Sequence, residues 1–105
     1  MVSFIGNGTD GTSGNRIKVG QLVIAVTGTA ISLPQGVGYN GIVLTARGTN
    51  SANITVGPSG VNNTINGTGN GYILAPGASV GVATSQFNQI FINGTAGDII
   101  SYIGS

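Results

Sequence analysis

Asp10 and Asp98 are the only side-chain carboxylates in this sequence, and it contains no glutamate, histidine or cysteine. Two carboxylates could in principle act as the proton donor and the base or nucleophile of glycoside hydrolysis. Asp10 lies in a glycine-rich stretch, a poor mount for a group that must be held still. Asp98 ends the segment Thr95-Ala96-Gly97-Asp98, just ahead of the last apolar run, where a carboxylate commonly caps turn backbone. Serines are plentiful, but no imidazole or thiol accompanies them to form a nucleophile–base pair. Lys18, the one lysine, is expected at an exposed strand position. The expectation is a protein without catalytic residues.

Metals and cofactors meet the same shortage. Zinc lacks its usual thiolate and imidazole ligands, and calcium usually takes several carboxylates. Gly6, Gly8 and Gly11 have the G-x-G-x-x-G spacing, but no strand pattern precedes them and no helix pattern follows, so the phosphate-binding context is missing. Neither a metal nor a cofactor is expected. Arg16, Lys18 and Arg47 do not form the basic cluster that phosphate neutralisation requires, so no nucleic-acid partner is expected either. The longest apolar run, Leu22 to Val26, is far below the ~20 residues of a membrane helix. Met1 to Asn7 does not resemble a secretion leader. A soluble product made in the cytoplasm, with no membrane partner, is expected. The glycosylation-type tripeptides at Asn7, Asn53, Asn62, Asn66 and Asn93 are what chance provides in a chain so rich in Asn, Ser and Thr.

Tyr39 and Tyr72 remain as candidates for binding. Each follows a glycine in a loop-like stretch. A tyrosine ring has an apolar body and a polar tip, which suits a subunit interface or a sheet edge and equally a stacking platform for a glycan. Both readings stand at this point.

The elements that position these residues are strands. Ile and Val dominate the larger aliphatic residues, and the chain has 20 glycines. β-branched side chains favour pleated surfaces, whereas Gly and Asn favour turns. Every interval long enough for a helix is broken by Gly or Pro. The expected fold is all-β: a small antiparallel β-sandwich, jelly-roll-like, of about eight short strands without significant helix. Residues 1–15 form a glycine-rich N-terminal arm, and residues 16–105 form the sandwich. In the arm, Phe4 and Ile5 are candidate partner anchors, although a frayed terminus accounts for them equally well.

Expected inward positions are Ile17, Val19, Leu22, Ile24, Ile31, Leu33, Ile42, Leu44, Ile54, Val56, Leu74, Val80, Val82, Ile90, Ile92, Ile100 and Tyr102. Gly20-Gln21 reads as a bulge interrupting the first strand. The unbroken run from Leu22 to Val26 reads as covered on both faces. Residues 58–71 form a long irregular loop, either functional or a passive cover, with Val61 and Ile65 as possible pins. Ala75-Pro76-Gly77-Ala78 is a turn, and Asn93-Gly94 is the strongest short turn signal. The nearly uncharged surface and modest core favour self-association.

One stretch reads Gly71-Tyr72-Ile73-Leu74-Ala75-Pro76-Gly77-Ala78-Ser79-Val80, and another runs from Asn88-Gln89-Ile90-Phe91-Ile92-Asn93-Gly94-Thr95-Ala96-Gly97-Asp98 into the last strand. With Ile31-Ser32-Leu33-Pro34 and Ile42 to Val56, these stretches resemble the small β-sandwich accessory proteins of tailed-bacteriophage virions, the capsid-decoration and head-fibre types. The resemblance covers roughly residues 29 to 104 and is structural: Pro76, Gly77, Gly94, Gly97 and Asp98 shape its turns. It implies a virion protein, on the outer capsid surface, that stabilises the shell through contacts with the major capsid protein or another virion component. A homotrimer is the implied assembly. The alternative is a carbohydrate-binding module or fibre knob that recognises host surface glycans.

Overall fold

The computed structural model describes residues 17–105. The expectations for the arm, anchoring by Phe4 and Ile5 included, lie outside the described residues. Eight strands follow one another: β1 (Lys18–Val23), β2 (Ile31–Ser32), β3 (Ile42–Ala46), β4 (Ile54–Gly57), β5 (Tyr72–Leu74), β6 (Ser79–Val82), β7 (Phe91–Asn93) and β8 (Ile99–Gly104). A single 3-10 turn, Phe87–Gln89, is the only helical element among the described residues.

First pairs with last: β1 with β8, β2 with β7, β3 with β6 and β4 with β5, all antiparallel. This is the pairing of one long hairpin whose tip is the loop 58–71. Successive pairs of the hairpin go to alternate sheets. Contacts of β3 with β8 and of β4 with β7 then complete two four-stranded sheets, β1-β8-β3-β6 and β2-β7-β4-β5. That wound ribbon is a jelly roll, a two-sheet β-sandwich.

The core lies between the sheets and includes Ile24, Leu33, Ile42, Leu44, Ile54, Leu74, Ile92 and Ile100. Leu22, Ile31, Val80, Val82 and Tyr102 pack against it while only partly buried. Ile17 and Val19 are corrections to the expected core: they are 58% and 64% exposed. The β1–β8 ladder runs without interruption from Lys18 to Val23, so there is no bulge at Gly20-Gln21. Gly20 and Leu22 therefore face inward, while Val19, Gln21 and Val23 face outward. Leu22 packs on the core and Gly20 shares its face; a Cβ at Gly20 would lie 2.5 Å from Tyr102 Oη, so a side chain there would have to displace that ring. The run Leu22 to Val26 is likewise not covered on both faces, since Val23 and Val26 are 54% and 57% exposed. β1 is an edge strand, and nothing among the described residues covers its outer side.

Candidate interaction surfaces

Asp98 is buried and structural in its contacts. Its carboxylate accepts hydrogen bonds from the Ser51 N–H (2.8 Å), the Ser51 hydroxyl (3.0 and 3.1 Å) and the Ala52 N–H (3.1 Å). Burial opposes its charge, but the bonds from Ser51 and Ala52, with the nearby Arg47 guanidinium, outweigh that and hold the carboxyl below its ordinary value. Beside it, Asn50 Nδ2 donates to the Ile99 carbonyl and Ile99 N–H donates to Asn50 Oδ1, both at 2.9 Å. Asp98 therefore does cap turn backbone, but backbone 47 residues upstream. The β3–β4 connection is thereby tied to the β7–β8 connection, joining chain that passes between the two sheets.

The turn residues divide into two kinds. In Ala75–Ala78 the Ala78 N–H meets the Ala75 carbonyl at 2.9 Å, with Pro76 second and Gly77 third at φ 85°. That is the type II arrangement, in which only glycine is at ease in the third position. Thr95–Asp98 repeats it with Gly97 at φ 92°. Gly94 acts differently from the expected Asn-Gly hairpin turn. β7 pairs with β2 and β4 rather than β8, and Gly94 is not among the positive-φ glycines. It is buried where the chain crosses between sheets, and a Cβ there would lie 2.8 Å from Ile24 Cδ1.

The outer faces of the two sheets contrast. Over β4 and β7, the loop 58–71 folds back as a cover. Val61 is 1% exposed, Thr55 Oγ1 donates to the Asn62 carbonyl at 2.6 Å, and Asn93 Nδ2 donates to the Val61 carbonyl at 2.9 Å. Thr55 and Asn93 are thus buried on what would otherwise be a solvent face. Val61 pins the loop; Ile65, at 51% exposure, does not.

The outer face of β1-β8-β3-β6 has no such cover among the described residues. Cross-strand partners share a face, so the register places Val19, Ile103 and Val43 in one outward row. These side chains are 64%, 53% and 44% exposed. The next row, Gln21, Ser101, Thr45 and Ser79, is polar and uncharged, with Thr45 Oγ1 and Ser79 Oγ 2.7 Å apart. Val23 and Ile99 begin a third row. Within the strand spans no outward position carries a charge; the nearest is exposed Arg47, one residue past β3, whose N–H donates to the Ile99 carbonyl at 3.0 Å.

At the Ile42–Gly104 end of the same sheet the two tyrosines flank neighbouring hollows. Tyr72 stands on the wall of a cleft of about 440 Å³ floored by Val80, Val82 and Ile90. This cleft opens because β5 and β6 are edge strands of different sheets and do not pair. Tyr39 walls a second hollow of about 410 Å³ with Asn40, Thr84 and Ser85. Ala83 and Thr84 line both.

Comparison with protein-family models, with curated proteins and with solved structures found no match for this chain.

Proposed function

We propose that this jelly roll is a structural assembly protein that decorates and stabilises a bacteriophage capsid, packing against copies of itself, as a trimer, and against the major capsid protein. The observation that carries the reading is the bare apolar row Val19–Ile103–Val43 on a sheet face whose outward strand positions are uncharged. Contiguous exposed apolar surface of this kind marks protein contact sites. Charged side chains commonly keep exposed strands from associating, and the outward strand positions of this face carry none, Arg47 lying just past the end of β3. On the other sheet the 14 residues 58–71 cover β4 and β7 and leave only Ile73 of the outward row Asn93–Thr55–Ile73 exposed, whereas no described residue covers the row Val19–Ile103–Val43. The resemblance in the turns at Pro76-Gly77 and Gly97-Asp98 favours the outer capsid surface as the location.

The test is sedimentation equilibrium of the full chain with and without a charge on this face. The wild type is expected to associate, and Val43→Lys or Ile103→Lys to weaken association by about tenfold or more, because a lysine buried in the contact would lack a partner. Both positions face solvent in the single chain, so the thermal midpoint of the unassociated domain should be nearly unchanged. A wild type that stays monomeric at every concentration would count against the proposal.

A further inference from the structure

We infer that the chain ahead of β1 returns to its own domain and adds Val2-Ser3-Phe4 as a short strand along β6, with Val2 and Phe4 filling the cleft between β5 and β6. This seat is on the opposite face of the sheet from the row Val19–Ile103–Val43 and does not depend on the assembly reading.

The edge of β6 is the first observation. Four strands stand at sheet edges, β1 and β6 in one sheet and β2 and β5 in the other. Edge strands are commonly kept from further pairing by shortness or by a charged side chain, lysine above all. β2 has two residues, β5 has three, and β1 carries Lys18. β6, Ser79-Val80-Gly81-Val82, has four residues and neither charge nor proline. Among the described residues it is the edge least defended against another strand.

The cleft beside that edge is the second. Its volume is about 440 Å³, and Val56, Ile90, Val80 and Val82 line it, with Tyr72 on its wall. Val80 and Val82 stand opposite Leu44 and Ile42 and face the core, yet both are only partly buried. The core is open on this side, and covering its apolar surface is favourable.

The third is the path of the chain. Lys18 pairs with Gly104, Gly104 with Ile42, and Ile42 with Val82. The chain therefore enters β1 in the row that ends at the cleft. Three strand spacings, about 14 Å, separate Lys18 from Val82. The 13 residues from Ile5 to Ile17 can span about 40 Å, ample for the return.

The sequence marks the occupant. Residues 6–16 are all glycine or polar, whereas Val2, Phe4 and Ile5 are large and apolar. Val2-Ser3-Phe4 alternates as Val80-Gly81-Val82 does, so a strand that turns Val2 and Phe4 into the cleft leaves Ser3 on the outer face. Strand addition contributes main-chain hydrogen bonds as well as side-chain burial, and a tether gives this segment a high effective concentration over any free peptide. A second copy offering its own β6 is the competing occupant, but it would place no aromatic ring in the cleft.

The experiment is isotope-edited NMR of the full chain carrying Val43→Lys, which disables the assembly face without touching the cleft. Nuclear Overhauser contacts from the Phe4 ring to the Val80 and Val82 methyls are expected, and in a mixture of labelled and unlabelled copies they should prove intramolecular. Hydrogen exchange at the β6 amides that point away from β3 should quicken by about tenfold or more in Phe4→Asp and stay near the parent rate in Phe4→Leu. Absence of contacts from residues 2–5 to the cleft, contacts that arise only between copies, or β6 exchange indifferent to Phe4→Asp would overturn the inference.

Discussion

Replacing Phe87 with alanine is expected to cost about 3 to 5 kcal/mol of folding stability. At roughly 5 °C per kcal/mol for a domain of this size, the thermal midpoint should fall by about 15 °C or more. Phe87 is 1% exposed and is the largest fully buried side chain. Its ring lies against three glycines: a Cβ at Gly36, Gly38 or Gly104 would come within 2.8, 2.7 and 2.7 Å of ring carbons. These neighbours have no side chains that could swing into the space left by the ring, so the cavity cannot collapse cheaply. The backbone around it is fixed as well, since the Phe87 N–H donates to the Gly36 carbonyl at 2.8 Å and Val37 bridges to Gln86. Thermal and urea denaturation followed by circular dichroism reads the effect. A loss below about 1 kcal/mol would mean that the site repacks and that this account of its rigidity is wrong.

The second large effect is at Asp98. Asp98→Ala removes the acceptor for two backbone N–H groups, those of Ser51 and Ala52. Ser51 is exposed and Ala52 half-buried, so water replaces part of what is lost; with hydrogen bonds to a charged group worth about 1.5 to 3 kcal/mol each, a loss of about 2 kcal/mol or more is expected. The same group makes stability depend on pH. Its folded value is depressed below the ordinary 3.8, so the unfolded chain binds the proton more readily. The stabilisation is therefore complete above the unfolded value and is lost as pH falls through the folded one. Urea midpoints of the wild type should hold steady from pH 7 to about pH 5 and decline below about pH 4. Asp98→Asn should be less stable at neutral pH and should lose most of that decline. An acid dependence equal to the wild type's in Asp98→Asn would assign the effect to another group.

The β-sandwich was readable because its strands alternate cleanly and Gly or Pro marks nearly every end. The phase of β1 was not readable. Ile17, Val19 and Leu22 offer apolar residues in both phases, and the inward one brings Gly20 under the Tyr102 ring, a residue far off in sequence. Phe87 escaped notice for a related reason. It stands in the 3-10 turn Phe87–Gln89, outside any alternating run, and its burial depends on glycines at positions 36, 38 and 104. Asn93-Gly94 misled because dipeptide chemistry describes a local hairpin, whereas the chain there changes sheets. The capping role of Asp98 was legible from its residue type, but its partners, Ser51 and Ala52, were not. Tyr39 and Tyr72 stood out as loop-flanked aromatics, and only the fold brings both beside Ala83 and Thr84. The bare sheet face is a tertiary property: it requires knowing that the loop 58–71 covers one sheet and that nothing among the described residues covers the other.

The most direct measurement of the assembly account is side-chain footprinting by hydroxyl radicals across a range of protein concentrations. Val19, Val43 and Ile103 are exposed in the single chain, as are Ile65 and Ile73, which lie off this face. The account predicts that labelling of Val19, Val43 and Ile103 falls together as concentration rises, while Ile65 and Ile73 stay labelled. Labelling of all five that is independent of concentration, or protection confined to Ile65 and Ile73, would contradict it.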